Sequence, residues 1–148
     1  MSTRIEFDGL DELLNKISYL GGAEARKVFR AGASAGARLV RNYAIADAPG
    51  PYIGIKTRAS ETQAEAEIGP LKRYWYYKFA ESGTRAHGPK KARRKFMMWR
   101  DNGKRILAKR VRGIQAKPFL KPALENHIPE VQAAMVAGYK KMLEKVSK

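Results

Sequence analysis

The chain has 148 residues, a length that suits a single domain with its own core. Its 30 Lys and Arg residues against 14 Asp and Glu residues give a net charge of +16, which favours acidic partners: nucleic acid, an anionic membrane or an acidic protein surface. The absence of cysteine excludes disulfides and thiolate metal sites.

The pattern of the first twenty or so residues predicts a strand followed by a helix. Residues 4–7 alternate as a short strand, with Ile5 and Phe7 on one face. This opening lacks the apolar core of a signal peptide, and no apolar run in the chain could cross a bilayer, so we expect a soluble protein without export. Asp8 then caps a helix that Gly21-Gly22 ends. Its apolar stripe comprises Leu10, Leu13, Leu14, Ile17 and Leu20.

A longer helix is predicted from about Ala23 to Asp47. A glycine inside a helix costs about 1 kcal/mol relative to alanine. Close approach of another backbone would explain why this helix tolerates small residues, and we prefer that interpretation to a functional one. The face concerned carries Phe29, Gly32, Ala33, Gly36, Val40 and Tyr43.

Two strands and an aromatic run follow. Residues 48–51 end the helix, and strands are predicted over 53–58 and 62–68, closed by Gly69-Pro70. In the second strand one face should be buried and the other wet. The buried face would hold Ala64, Ala66 and Ile68, and the wet face Gln63, Glu65 and Glu67. The aromatic run at 74–79 is compatible with either a short helix or a strand; we favour the helix and expect its rings to belong to the core.

Asn102-Gly103 lies between two apolar-rich runs and predicts a β-hairpin, because both residues tolerate the positive φ of a type I′ turn. This register places Trp99 opposite Ile106 and Met97 opposite Ala108 on one side of the ribbon. On the other side it places Met98 opposite Leu107 and Arg100 opposite Arg105. Opposed like charges cost some tenths of a kcal/mol, so the arginine pair suits either an anion site or a solvated ribbon.

The last helix is predicted from about 119 to 146, with a kink or restart at Pro129. Apolar residues keep helical spacing along it: Leu124, Ile128, Val131, Met135, Met142 and Val146. Together the elements predict one α+β domain over residues 1–148: a small antiparallel sheet with a basic hairpin extension at about 88–115, packed against two or three long helices.

Candidate catalytic residues lack the patterns that catalysis needs. His87 and His127 are not spaced to hold zinc, and we interpret both as structural or solvated. Ser82 is not set in a G-x-S-x-G elbow, so a turn is its expected role. Glu65 and Glu67 fall on the solvent face of their strand. We therefore predict no catalytic, cofactor or metal site and no enzyme.

The basic residues carry more information. Seventeen Lys or Arg residues lie between Lys72 and Lys121, against only Glu81 and Asp101. A solvated face would explain this run, but its place beside a hairpin with opposed arginines favours a docking surface. The candidate docking residues are Lys90, Lys91, Arg93, Arg94, Lys95, Arg100 and Arg105.

Two motifs flank the basic segment, Glu81-Ser82-Gly83-Thr84 before it and Pro118-Phe119-Leu120-Lys121-Pro122-Ala123-Leu124 after it. Together with His87 to Lys91 and the hairpin, they resemble the gene-product-ten-like tail-component family of lambdoid siphophages. The family's E-F-G-T is matched except for Ser82, and its P-F-L-R-P-A-L is matched except for Lys121. The opening strand, Gly9 to Leu14 and Ala48-Pro49 also fit. The family's threonine-glycine-leucine turn is absent, and residues 50–54 stand in its place.

Both motifs suit a scaffold. Gly83-Thr84 would turn the chain tightly out of the sheet, and Pro118-Phe119 would anchor the final helix with Pro122 in its first turn. The resemblance implies a structural virion protein for tail completion or head-to-tail joining, without cofactors, located in the tail or neck and in the host cytoplasm during assembly. Its partners would be other copies in a ring, most simply six, the tail tube or tail terminator, the head connector, and non-specifically the DNA in the channel. The alternative is a basic nucleic-acid-binding protein.

Overall fold

The computed structural model describes residues 11–90 and 93–148. The predicted strand at 4–7 and the cap at Asp8 lie outside the described residues. The chain has two compact units: a helical unit, which runs up to Trp75 and resumes at Phe119–Lys148, and a basic unit, Tyr76–Pro118. The described residues confirm the predicted α+β class, with two long helices, three short ones and two antiparallel two-stranded sheets.

The helical unit begins with α1 (Asp11–Ser18) and α2 (Gly22–Asp47). The prediction that Gly21-Gly22 ends α1 was wrong. The helix already ends at Ser18, where a tight turn brings the amide of Leu20 to the carbonyl of Ile17 at 3.0 Å. Gly21 is instead the extended residue before α2. At its other end α2 stops at Ala48, which is extended because Pro49 follows and disfavours helical geometry.

The small-residue face of α2 is covered by the last helix, α5 (Ile128–Val146), which confirms the close-packing interpretation. A Cβ atom added to Gly36 would lie 2.5 Å from Cγ of Met135, and one added to Gly32 would overlap the Tyr139 ring. From the other side, a Cβ on Gly138 would lie 3.0 Å from the carbonyl oxygen of Ala31. Both helices therefore use glycine to bring their backbones together.

A two-stranded sheet packs on α2. Strand β1 (Ile53–Ala59) pairs antiparallel with β2 (Ala64–Pro70). The predicted alternation is confirmed, because Ala64, Ala66 and Ile68 are half-buried while Glu65 and Glu67 are exposed. We predicted that Gly69-Pro70 would follow the strand and end it. In the structure these two residues are instead the last two of β2, with Pro70 opposite Ile53. Proline is tolerated there because the end of an edge strand needs no donor.

The core lies between α1, α2, α5 and the sheet. Its fully or nearly buried members include Ile17, Ala25, Val28, Phe29 and Tyr139. The rings of Phe29 and Tyr139 meet edge to face with their centroids 6.1 Å apart. Burial raises the pKa of the Tyr139 hydroxyl above its ordinary value, since the phenolate would lose its hydration.

The final helix restarts, one of the two outcomes predicted for Pro129. Helix α4 (Leu120–Glu125) ends before His127, and α5 begins at Ile128 with Pro129 in its first turn. Proline is tolerated there because a residue in the first turn of a helix has no partner within the helix for its N–H. Pro122 lies in the first turn of α4, as predicted, and Phe119 precedes that helix with a side chain that is only 1% exposed. Helix α4 packs mainly against α2.

The aromatic run confirms the predicted helical character but not the predicted core role. A 3₁₀ turn covers Lys72–Tyr74, and Tyr74 stacks on Tyr52 at 3.9 Å between ring centroids. In the basic unit, α3 spans Tyr77–Ser82. Tyr77 is buried, whereas Trp75 and Tyr76 are about half exposed. The core expectation was therefore wrong for Trp75 and Tyr76.

Candidate functional site: the basic unit

The charge of the protein is concentrated in one part of the chain. The basic unit holds fourteen of the thirty Lys and Arg residues but only two of the fourteen acidic residues, Glu81 and Asp101. It therefore carries +12 of the total charge of +16 in fewer than a third of the residues. Such local excess creates a strong positive potential that attracts acidic partners.

The two ends of the basic unit are held together by a ladder of hydrogen bonds. The amide of Lys117 donates to the carbonyl of Ala80 at 2.7 Å. Further along, Thr84 contacts Ile114 twice: its amide donates to the carbonyl of Ile114 at 2.9 Å, and its hydroxyl accepts from the amide of Ile114 at 3.0 Å. His87 and Val111 then exchange both backbone hydrogen bonds, at 3.1 and 2.9 Å.

Two glycines make this ladder possible. Gly83 ends α3 with a φ of +71°, a region that disfavours other residues, and its added Cβ would lie 2.8 Å from the carbonyl oxygen of Ile114. A Cβ on Gly113 would overlap the carbonyl oxygen of Thr84. The predicted turn at Gly83-Thr84 is present, but it leads out of a helix into the ladder rather than out of a sheet.

A β-hairpin forms the far part of the unit, with the register predicted from Asn102-Gly103. Strand β3 (Met97–Asp101) pairs with β4 (Lys104–Ala108), so that Trp99 faces Ile106 and Arg100 faces Arg105. Asn102 and Gly103 have φ values of +47° and +79°, as a type I′ turn requires.

The basic cluster lies between the ladder and the hairpin. His87 pairs with Val111 and Met97 pairs with Ala108, so nine residues, 88–96, lie opposite only two, 109–110. The described residues of this segment, 88–90 and 93–96, belong to no strand. Its described cations are all exposed: Lys90, Arg93, Arg94 and Lys95. Lys91, also predicted as a docking residue, lies outside the described residues.

The hairpin presents a mixed apolar and cationic face, which we call the Met98–Leu107 face. Met98 lies directly opposite Leu107, and the adjacent pair on this face is Arg100 and Arg105. Met98 is 57% exposed and Leu107 is 60% exposed, and both arginines are exposed. Nε of Arg105 donates to Sδ of Met98 at 2.7 Å, which lays the guanidinium group against the apolar pair.

Exposed rings also lie among the cations. Phe96, with Lys109 Nζ 5.7 Å from its ring centroid, is 46% exposed, and Trp99 is 41% exposed. On the same side of the ribbon as Trp99, Met97, Ile106 and Ala108 are half-buried. The two faces of the hairpin thus differ, since the Met98–Leu107 face is the more open one.

The structure brings together some of the predicted site residues and separates others. Arg100 and Arg105 are adjacent, as the register predicted. The first flanking motif lies in the basic unit, where Gly83 and Thr84 build the ladder. The second begins at Pro118, the last residue of that unit, and Phe119 and Pro122 belong to the helical unit. Sequence reasoning missed the ladder, which pairs residues that lie about thirty positions apart in the chain. It also missed the exposure of Met98 and Leu107.

The remaining polar candidates have structural surroundings. His127 stacks on Tyr43 at 3.6 Å between ring centroids, and its Nδ1 lies 3.1 Å from the carbonyl oxygen of Ala123. The Ser82 hydroxyl donates to the carbonyl of Lys78 at 2.8 Å, one turn earlier in α3. Across residues 11–90 and 93–148, no three His, Asp or Glu side chains are grouped closely enough to hold a metal ion.

Comparison with known proteins gives no relatives: a scan against protein-family models and searches of curated proteins and of solved structures each found no match. The resemblance to the phage family therefore stays a prediction from the motifs. Among the helices that the structure describes, none is both long enough and apolar enough to cross a bilayer.

Proposed function

We propose that the chain is a structural virion protein of a tailed phage that acts in tail completion and head-to-tail joining. The observation that supports this function is the basic unit, which concentrates +12 of charge and exposes apolar side chains on a small ladder-held scaffold. Charge and shape complementarity of this kind sets the specificity and rate of subunit docking. The two flanking motifs, which build the ladder and start α4, support the same function.

In this proposal the protein forms a ring, most simply of six copies, in the tail or neck of the virion. The basic unit docks on an acidic face of a neighbouring ring, which belongs to the tail tube, the tail terminator or the head connector. Closed rings are the usual outcome of repeated contacts between identical subunits when the rotation closes. DNA in the channel would be contacted non-specifically through phosphate groups.

The second candidate is a basic nucleic-acid-binding protein, and one specific observation favours it. Phe96 and Trp99 are partly exposed on a ribbon rich in cations. Proteins that bind single strands combine such a positive surface with aromatic rings on which bases stack.

Reversal of the loop charges tests the proposal. The variant Arg93→Glu, Arg94→Glu, Lys95→Glu changes only exposed residues, so stability should shift by less than about 0.5 kcal/mol per substitution. In particles assembled with this variant we expect filled heads and finished tails to remain separate, as counted by electron microscopy. The matched control is Lys140→Glu, Lys141→Glu, Lys145→Glu, which reverses three exposed charges on α5.

The nucleic-acid candidate makes a different prediction for the same variant. DNA affinity would fall and its dependence on salt would flatten, by about 0.9 in the log–log slope for each phosphate that the protein no longer neutralises. Particle assembly would proceed normally. Infectious particles formed in normal numbers with the variant would refute the docking function, whatever the DNA-binding curves show.

A further inference from the structure

The Met98–Leu107 face has a composition that identifies the chemistry of its partner. Of its four side chains, two are apolar and largely exposed and two are arginines. None of these four side chains is a lysine, although lysine and arginine together dominate the neighbouring loop. Met and Arg are enriched, and Lys is depleted, in protein–protein interfaces relative to other protein surfaces.

We propose that this face docks on an acidic protein surface in which carboxylates flank an apolar groove. Met98 and Leu107 fill the groove, and the carboxylates bind Arg100 and Arg105. The proposal rests on the proposed function, because it names the partner chemistry for the same basic unit.

The arginines have room for such a partner. Within residues 11–90 and 93–148, neither Arg100 nor Arg105 forms an ion pair. The two guanidinium groups belong to directly opposed residues and repel each other, so a carboxylate between them removes an unfavourable interaction while it adds two favourable ones. The hydrogen bond from Arg105 to Met98 orients one guanidinium in advance, which lowers the entropy lost on binding.

The scaffold also favours a covered hairpin. Among the residues that the structure describes, the β3–β4 sheet has two strands of five residues each, and an isolated two-stranded ribbon is marginally stable in water. A partner that buries Met98 and Leu107 would stabilise it in proportion to the apolar area removed from water. A second copy of the hairpin would not bind well to the Met98–Leu107 face, because each basic unit carries +12 and the two copies would repel each other. A bare phosphate backbone would leave the apolar pair uncovered.

The variant Leu107→Ser separates this proposal from DNA binding because it leaves the charge unchanged. We expect head-to-tail joining to fall at least about tenfold, as for an interface hot spot, while affinity for a labelled DNA duplex stays within about twofold. Leu107→Met should restore joining. The control Tyr19→Ser removes a side chain that is 90% exposed and lies outside the basic unit, and it should change neither readout.

Normal joining with Leu107→Ser would overturn the proposal, and so would an equal loss of DNA affinity, which would make the face a DNA-binding surface. Deletion of the whole protein tests the proposed function separately, since normal joining without the chain would refute that function itself. A photo-crosslinking phenylalanine analogue at position 107 covers the case in which serine disturbs the fold. In assembled particles it should crosslink to a different virion protein next to Asp or Glu residues. A crosslink to DNA, to another copy of this chain or to nothing would overturn the proposal.

Discussion

Phe119 is among the most completely buried large side chains of the described residues, although it lies just outside α4 rather than within it. Removal of a buried aromatic ring leaves a cavity and costs about 3–5 kcal/mol. We therefore expect Phe119→Ala to remove a large share of the roughly 5–15 kcal/mol that is typical of a domain. Denaturant unfolding of the purified protein would measure the decrease in stability.

Phe96→Ala is the matched control, because it deletes the same ring from a position that is 46% exposed. It should cost much less than Phe119→Ala. If the two variants unfold at the same denaturant concentration, the burial of Phe119 does not contribute to stability as we infer.

At the scale of elements, the packing of α2 against α5 depends on glycine. In an exposed helix, replacing glycine with alanine stabilises by about 1 kcal/mol. For Gly138→Ala we expect the opposite sign, a destabilisation of about 1–3 kcal/mol, because the added methyl would meet the Ala31 carbonyl and the Gly32 Cα, which cannot yield as a flexible side chain does. Thermal melting would measure it.

The neighbouring substitution Ala137→Gly is the control for helix propensity, since Ala137 is exposed. It should cost about 1 kcal/mol, the ordinary value for glycine in a helix. A melting temperature that rises in Gly138→Ala would show that α2 and α5 are not as close as the structure places them.

The sequence predicted those elements whose signals are local. Asn102-Gly103 determined the hairpin and its register because two adjacent residues tolerate positive φ. The end of β2 was predicted wrongly because Pro70, although it has no N–H to donate, still lies opposite Ile53 at the end of the strand. The ladder was missed because Thr84 and Ile114 are thirty residues apart, and no local pattern encodes that pairing. The exposure of Trp75 and Tyr76 was missed because apolarity alone does not specify burial.

At the scale of the whole molecule, charge should control self-association. Each subunit carries +16, so isolated copies repel one another and we expect a monomer that forms a ring only on a partner template. Added salt screens this repulsion, since the Debye length is about 8 Å at physiological ionic strength and about 3 Å at 1 M. Light scattering should therefore detect larger species as the salt concentration rises.

The opposite trend would be informative. Oligomers that dissociate as salt is added would be held by contacts between opposite charges, and the account based on repulsion would be wrong. The Arg93→Glu, Arg94→Glu, Lys95→Glu variant refines the test. It lowers the repulsion where most of the charge lies, so association should begin at a lower salt concentration than in the wild-type chain.

The two segments that join the ladder to the hairpin differ in length, and this difference has a consequence for engineering. Nine residues separate His87 from Met97, whereas two separate Ala108 from Val111, and the ladder and the hairpin each fix their own register. Doubling the length of such a loop costs only about 0.6 kcal/mol in closure entropy. Insertions and deletions between Gly88 and Phe96 should thus be nearly neutral for folding. A change of length here should therefore disturb docking through Arg93, Arg94 and Lys95 without a comparable loss of stability, so an epitope tag inserted at this position would separate docking from folding.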